Sequence, residues 1–190
     1  MAEPGNIRPD HVRAGATYEE VRPEARRSIA ELKRGRRVTL GRELVLVFEN
    51  RDTVRAALEE TLRAERITDP KRVATEAEAF SALTPDGGEL AAVLFLAVSD
   101  PADLATAAAR LEGVERAVYL EVAGRRVDGT VDETAFEAEA AAFPVRFHLD
   151  QAAREAWLGG ANVRAGVEHP ALSVTADLDD DQRRAVAEDL

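Results

Sequence analysis

The sequence predicts an α+β fold in which helices pack on a mixed or mostly antiparallel sheet. Residues 44–48 and 90–98 are apolar on both faces of a strand, which predicts central strands that are covered on both sides. Apolar and polar side chains alternate along residues 145–149, which predicts a strand with one solvent-exposed face. Two strand–helix–strand stretches, 90–123 and 145–174, also allow a ferredoxin-like split β-α-β unit within this sheet.

Residues 21–66 are predicted to form a basic amphipathic helix, a hairpin and a second helix. Pro23 suits the first turn of the basic helix, because a proline there loses no hydrogen bond. A short turn then joins two strands, of which residues 44–48 are the second. Asn50 or Asp52 can cap the following helix, whose apolar residues recur at helical spacing as far as Leu62.

Start signals of the same kind predict the later helices. Asp69-Pro70 predicts a helix that reaches about Leu83, and Asp100-Pro101 predicts one that reaches Leu111. The acidic, Ala-rich residues 132–142 predict an inserted helix. Asp179 caps the predicted last helix.

The domain prediction divides the chain near residue 17. Residues 1–17 contain two prolines and two glycines with little apolar content, which predicts a flexible N-terminal arm. Residues 18–190 are predicted to form a single α+β domain, since 190 residues suit one large domain or two small ones that pack intimately.

Composition narrows the classes of function. The chain contains no cysteine, which excludes disulfides, iron–sulfur ligation by this chain, thiolate zinc sites and cysteine nucleophiles. Residues 1–42 carry ten Lys/Arg against six Asp/Glu, whereas residues 43–190 carry fifteen against thirty. So acidic a chain predicts no binding to nucleic acid or to an anionic membrane surface. Residues 1–10 contain no apolar segment like that of a signal peptide, and no apolar run approaches the roughly 20 residues that a bilayer span needs. The sequence therefore predicts a soluble cytoplasmic protein.

A candidate binding site lies where the doubly apolar strand meets the second helix. Glu49 and Asn50 follow that strand directly, a position at which α/β proteins often bind ligands. Because Glu49 would repel an anion, a cation, an arginine or a hydroxyl is the better partner there. Arg26, Lys33 and Arg37 supply the nearby basic residues of the predicted site. The alternative is a structural role, in which Asn50 caps the helix and Glu49 pairs with Arg26 or Arg37.

The histidines and the carboxylate of Glu59 are predicted to have structural roles. His11, His148 and His169 are far apart and none lies in an H-x-x-x-H or H-E-x-x-H spacing, so no metal site is predicted. Glu59 can pair with Arg63 one helical turn later, which predicts a solvated charged face. Neither a phosphate-binding glycine loop nor a G-x-S-x-G motif is present. The sequence therefore favours a protein that is not an enzyme, and it predicts no cofactor. It identifies no catalytic residues.

The stretch YEEVRPEARRSIAELKRGRRVTLG, followed by LVLVFENRDTVRAALEETLRAERI, resembles the bacterial family labelled domain of unknown function 3501. The F-E-N-x-x-T piece, which adds Thr53 to the candidate site, and the R-R-V-x-L-G piece are the most specific parts of the resemblance. The resemblance implies that genes of this family lie near genes for rubrerythrin-like proteins and for iron–sulfur proteins related to heterodisulfide reductase subunits. It therefore implies an accessory role in peroxide defence or electron transfer.

Two functions are consistent with these observations. The first is a non-catalytic accessory protein that binds a rubrerythrin-like or iron–sulfur partner through the basic helix and the Glu49–Asn50 edge. The second is a small-molecule- or metal-binding enzyme with a pocket near Glu49 and Asn50. The sequence leaves the ligand, the partner and the oligomeric state open.

Overall fold

The computed structural model describes residues 6–85, 87–98, 100–131 and 141–190, which form two compact units. The helical unit contains residues 6–34 and 49–85, and the sheet unit contains residues 35–48 and the described residues from 87 to 190. The sequence predicts one domain from residue 18 onward. Two units form because the chain leaves the sheet after its second strand, builds two helices and returns to the sheet after residue 86.

The strands form one eight-stranded sheet within the described residues. In chain order they are β1 (Arg37–Leu40), β2 (Leu44–Glu49), β3 (Glu89–Leu96), β4 (Val118–Val122), β5 (Arg125–Val131), β6 (Ala142–His148), β7 (Val163–His169) and β8 (Leu172–Asp177). Their order in the sheet is β1-β2-β3-β6-β5-β4-β7-β8. Helices α4 (Leu104–Arg110), α5 (Gln151–Leu158) and α6 (Asp180–Ala187) complete the sheet unit, and the α+β prediction is confirmed.

The strand directions do not produce the ferredoxin-like option. A split β-α-β unit needs parallel strands before and after each helix. Here β3 is antiparallel to β6, β6 to β5 and β5 to β4, so β3 and β4 run in opposite directions on either side of α4. Alternating strands and helices in a sequence do not specify strand direction, which explains the difference. The predicted inserted helix falls mostly on residues 132–140, which lie outside the described residues, and Ala142 begins β6.

The core of the sheet unit is built from the apolar runs that the sequence marks. Every residue of β2 is buried, as predicted for a doubly covered strand. The Phe48 ring packs 6.3 Å from Phe147 and, edge-on, 6.5 Å from Trp157, measured between ring centroids. The Trp157 Nε1–H donates to the carbonyl of Arg183, 3.0 Å away, so the one tryptophan of the chain joins the core to α6.

The helical unit consists of α1 (Ala16–Arg34), α2 (Arg51–Ala64) and α3 (Pro70–Ser81). Its core contains apolar side chains from α2 and α3 together with Ile7, which is only 2% exposed. The Ile7 amide donates to the Ser81 hydroxyl over 2.8 Å. Residues 6–17, which the sequence assigns to a flexible arm, therefore pack against the helices of this unit.

Helix α1 begins seven residues earlier than Pro23 predicts. Gly15, with φ +57°, accepts hydrogen bonds from Tyr18 and Glu19 and starts the helix, and Tyr18 is buried. Pro23 therefore lies inside α1, where it removes one backbone hydrogen bond. Among the described helices, none is long and apolar enough to cross a lipid bilayer.

Replacing Gly166 with alanine is expected to lower the free energy of unfolding by about 1–3 kcal/mol, because overpacking displaces the neighbouring side chain. A Cβ atom on Gly166 in β7 would lie 2.4 Å from Cζ of Tyr119 on the adjacent strand. Gly87→Ala is the matched control, since nothing lies within 4 Å of the added Cβ there. Urea unfolding followed by Trp157 fluorescence measures both variants; equal midpoints would contradict the prediction.

Candidate functional site

The predicted site at Glu49 forms an internal ion pair in the helical unit. Lys33 Nζ, in the last turn of α1, lies 3.1 Å from Glu49 Oε1. Glu49 is 9% exposed, and its Oε2 is buried without a hydrogen-bond partner in the described part of the chain. The expected alternative partners, Arg26 and Arg37, do not make this pair: Arg26 points to solvent and Arg37 belongs to the sheet unit. The structure therefore pairs two of the predicted site residues, Lys33 and Glu49, with each other.

Asn50 and Thr53 form the N-terminal cap of α2. The Asn50 side chain accepts hydrogen bonds from the amides of Asp52 and Thr53, and the Thr53 hydroxyl accepts one from the Asn50 amide at 2.8 Å. This reciprocal arrangement is a capping box. The structural role that the sequence offered for Asn50 is therefore confirmed, and Thr53 shares it.

Arg22 of α1 binds a carboxylate of α2. Arg22 donates to both oxygens of Glu60, and the Tyr18 hydroxyl donates to Glu60 Oε1 over 2.9 Å. The Arg22 hydrogen bond holds the pKa of Glu60 below its ordinary value, with a further contribution from the charge of Arg26. Burial and the Glu60 contact raise the pKa of Tyr18 to about 12. Arg22 and Lys33 of α1 are therefore paired with carboxylates inside the unit, whereas Arg26, Arg27 and Arg34 are exposed.

Glu59 is buried instead of lying on a solvated face. It is 1% exposed, and both of its oxygens bind the guanidinium of Arg13, at 2.8 and 2.7 Å. The Arg13 amide also donates to Glu59 Oε1. The predicted Glu59–Arg63 pair is wrong, because Arg63 binds Glu19 of α1. The sequence could not show this pairing, since Arg13 lies 46 residues before Glu59 and in the segment assigned to an arm.

The apolar stripe of α1 borders an open groove with a volume of about 400 Å³. Val21, Ala25, Ile29 and Leu32 line it from α1, and all four are only partly buried. Of the 19 residues of α1, all of them described, only Tyr18 is buried. The sequence predicts a basic amphipathic helix here but does not predict the groove.

Charged residues line the groove as two pairs and one carboxylate. Arg13 compensates Glu59, and Arg55 lies 2.9 Å from Asp52 in the first turns of α2. Glu24 is exposed on α1 and has no ion pair within the described residues. The lining therefore mixes polar and apolar groups and carries a surplus of one negative charge.

The histidines bind neighbouring protein groups. His148 Nδ1 lies 3.1 Å from Glu89 Oε1, and the His169 ring accepts a hydrogen bond from the Ala171 amide at 3.2 Å. His11 is exposed beside Asp10. The described residues contain no group of three or more His, Asp or Glu side chains placed to hold a metal ion.

Comparisons with known proteins match this chain over most of its length. A family model described as "Protein of unknown function (DUF3501)" matches residues 6–190. The chain is also similar to a crystal structure of a protein of unknown function from Burkholderia pseudomallei K96243, with 30% identity and a TM-score of 0.90. That similarity covers 97% of this chain and 99% of the other. A comparison with curated proteins gave no significant match.

Proposed function

The chain belongs to the DUF3501 family of proteins of unknown function, and from this premise we propose that it is a cytoplasmic accessory protein that binds another protein through α1. The observation that supports the proposal is the partly exposed apolar stripe of α1 along an open groove. An apolar helix face in a groove is a recurring recognition surface for other proteins.

The proposed partner is a rubrerythrin-like or iron–sulfur redox protein. This part of the proposal comes from the family resemblance and from the absence of cysteine, which leaves cluster ligation to the partner. Arg26, which is exposed and makes no ion pair within the described residues, supplies a cation for an acidic group at the edge of the interface. Asn50 and Thr53 contribute indirectly, by capping α2.

The alternative, an enzyme with a pocket near Glu49 and Asn50, has less support from the geometry. The groove is lined by neither residue. Lys33 occupies one oxygen of Glu49, and Asn50 uses its side-chain oxygen in the cap. We therefore place protein binding first.

Purified rubrerythrin-like and iron–sulfur proteins encoded by the same organism are expected to bind the full chain with micromolar affinity, typical of a small transient interface. Leu32→Asp puts a charge on the apolar stripe and is expected to weaken binding at least about tenfold. Isothermal titration calorimetry measures both affinities.

Leu158→Asp is the matched control, because Leu158 is 59% exposed in α5 of the sheet unit. It should bind as tightly as the wild type. Circular dichroism melting must show that both variants fold. No binding by either redox protein would reject the proposed partner, and undiminished binding by folded Leu32→Asp would reject α1 as the surface.

A further inference from the structure

Residues 6–14 contact α2 and α3 in the way that a short bound peptide contacts its receptor. Ile7 is buried in the core that these helices share, and its amide donates to the hydroxyl of Ser81 in α3. Arg13, six residues later, binds both carboxylate oxygens of Glu59 in α2, and its amide donates to the same carboxylate. One apolar side chain and one arginine therefore anchor the two ends of the segment.

The segment adds no residue to α1, α2 or α3. Helix α1 starts after it, since the amides of Tyr18 and Glu19 donate to the carbonyl of Gly15. Gly15 joins the segment to α1 with φ +57°, and a glycine exchanges readily between such a conformation and others. Of the eight buried apolar residues described in the core of the helical unit, Ile7 is the one from the segment, and the others belong to α2, α3 and the turn between them: Val54, Leu58, Leu62, Ile67, Val73, Ala77 and Phe80. The segment can therefore detach while the helices keep their own hydrogen bonds.

Arg13 occupies a site whose chemistry suits a guanidinium. Glu59 is 1% exposed, and its two oxygens accept from Nε and Nη2 of Arg13 at 2.8 and 2.7 Å. A planar guanidinium forms this paired contact, whereas an ammonium is a point charge without the fork geometry. The guanidinium carbon also lies 5.8 Å from the centroid of the Tyr18 ring, within the range of a cation–π contact. The Arg13 side chain is 36% exposed, so this site is reached from solvent.

We propose that the surface of α2 and α3 beneath residues 6–14, here called the α2–α3 site, binds a segment of a partner protein in place of residues 6–14. The internal occupant defines the ligand: an aliphatic residue that takes the position of Ile7 and, six residues later, an arginine that takes the position of Arg13. Detachment alone leaves the buried carboxylate of Glu59 without its cation, which is strongly unfavourable. Exchange of one arginine for another avoids this cost, so a ligand of this class selects the open form. The inference does not depend on the proposed redox partner.

A thiol at position 7 reports detachment of the segment, because the chain has no other cysteine. The Ile7→Cys variant places that thiol in the buried position. The probe is a synthetic peptide with the sequence of residues 6–15, and a second peptide carries the substitution Arg13→Lys. About 1 mM of the first peptide is expected to speed alkylation of the thiol at least about tenfold, because bound peptide traps the open form. The Arg13→Lys peptide is expected to give less than about a third of that acceleration.

Ala153→Cys is the matched control, since Ala153 is 2% exposed in α5 of the sheet unit. Neither peptide should change its rate of alkylation. Hydrogen–deuterium exchange of the wild-type chain is a second measurement, which does not require Ile7→Cys to fold. The first peptide should speed exchange of the Ile7 and Arg13 amides at least about tenfold, since these amides donate to Ser81 and Glu59 only while the segment is bound.

Four results would overturn the inference. The first is no acceleration by the peptide of residues 6–15 in either measurement, and the second is equal acceleration by the Arg13→Lys peptide. The third is faster alkylation of Ala153→Cys, which would mean that the peptide unfolds the chain. The fourth is rapid exchange of the wild-type Ile7 and Arg13 amides without peptide, since the α2–α3 site would then be open from the start.

Discussion

Asp189→Ala is expected to lower the free energy of unfolding of the sheet unit by about 3–5 kcal/mol, because it removes the counter-charge of a fully buried arginine. Arg36 is 0% exposed. Its guanidinium donates to both oxygens of Asp189, at 2.5 and 3.1 Å, and to the carbonyl of Ala185 in α6 at 2.6 Å. Its Nε is buried without a hydrogen-bond partner among the described residues. Without this carboxylate, only the carbonyl of Ala185 among the described residues would still accept a hydrogen bond from the guanidinium.

Trp157 fluorescence during urea unfolding measures this effect, since Trp157 belongs to the same unit and binds Arg183 of α6. Asp181→Ala, in the first turn of α6, is the matched control. Asp181 is 82% exposed in its pair with Arg184, so the expected change is within about 0.5 kcal/mol. A loss below about 1 kcal/mol for Asp189→Ala would show that water or a rearranged α6 solvates Arg36.

Arg13→Ala is expected to destabilise the helical unit by about 3–5 kcal/mol, because the buried carboxylate of Glu59 loses its guanidinium partner. Among the residues that the structure describes, only the amide of residue 13 would still donate to Glu59. The predicted loss corresponds to exchange of the α2 amides at least about 100-fold faster, if opening of the unit controls that exchange. Hydrogen–deuterium exchange with mass spectrometry gives this rate for peptides that cover α2.

Arg8→Ala is the control for this experiment, since Arg8 lies in the same segment and pairs with Asp10 on the surface. It should leave the exchange of α2 unchanged. Unchanged exchange in Arg13→Ala as well would mean that residues 6–17 do not hold Glu59 in solution, in agreement with the flexible arm that the sequence predicts.

The family resemblance could be read from the sequence, and the family match over residues 6–190 confirms it. The candidate site was only partly predictable. Lys33, Glu49, Asn50 and Thr53 were selected as binding residues, and the structure places them in an ion pair and a capping box. The groove depends on how α1 and α2 pack, so no local pattern specifies it.

The sequence by itself determined the α+β class, the buried strand β2 and the caps of α2, α3 and α6. These features depend on neighbours within about four residues, so a local pattern contains the information. Only the tertiary structure decided the strand directions, the burial of Glu59 and the open groove beside α1. Those features join residues tens of positions apart, as Arg13 and Glu59 show, and the pairing of distant charges depends on the geometry of the whole unit.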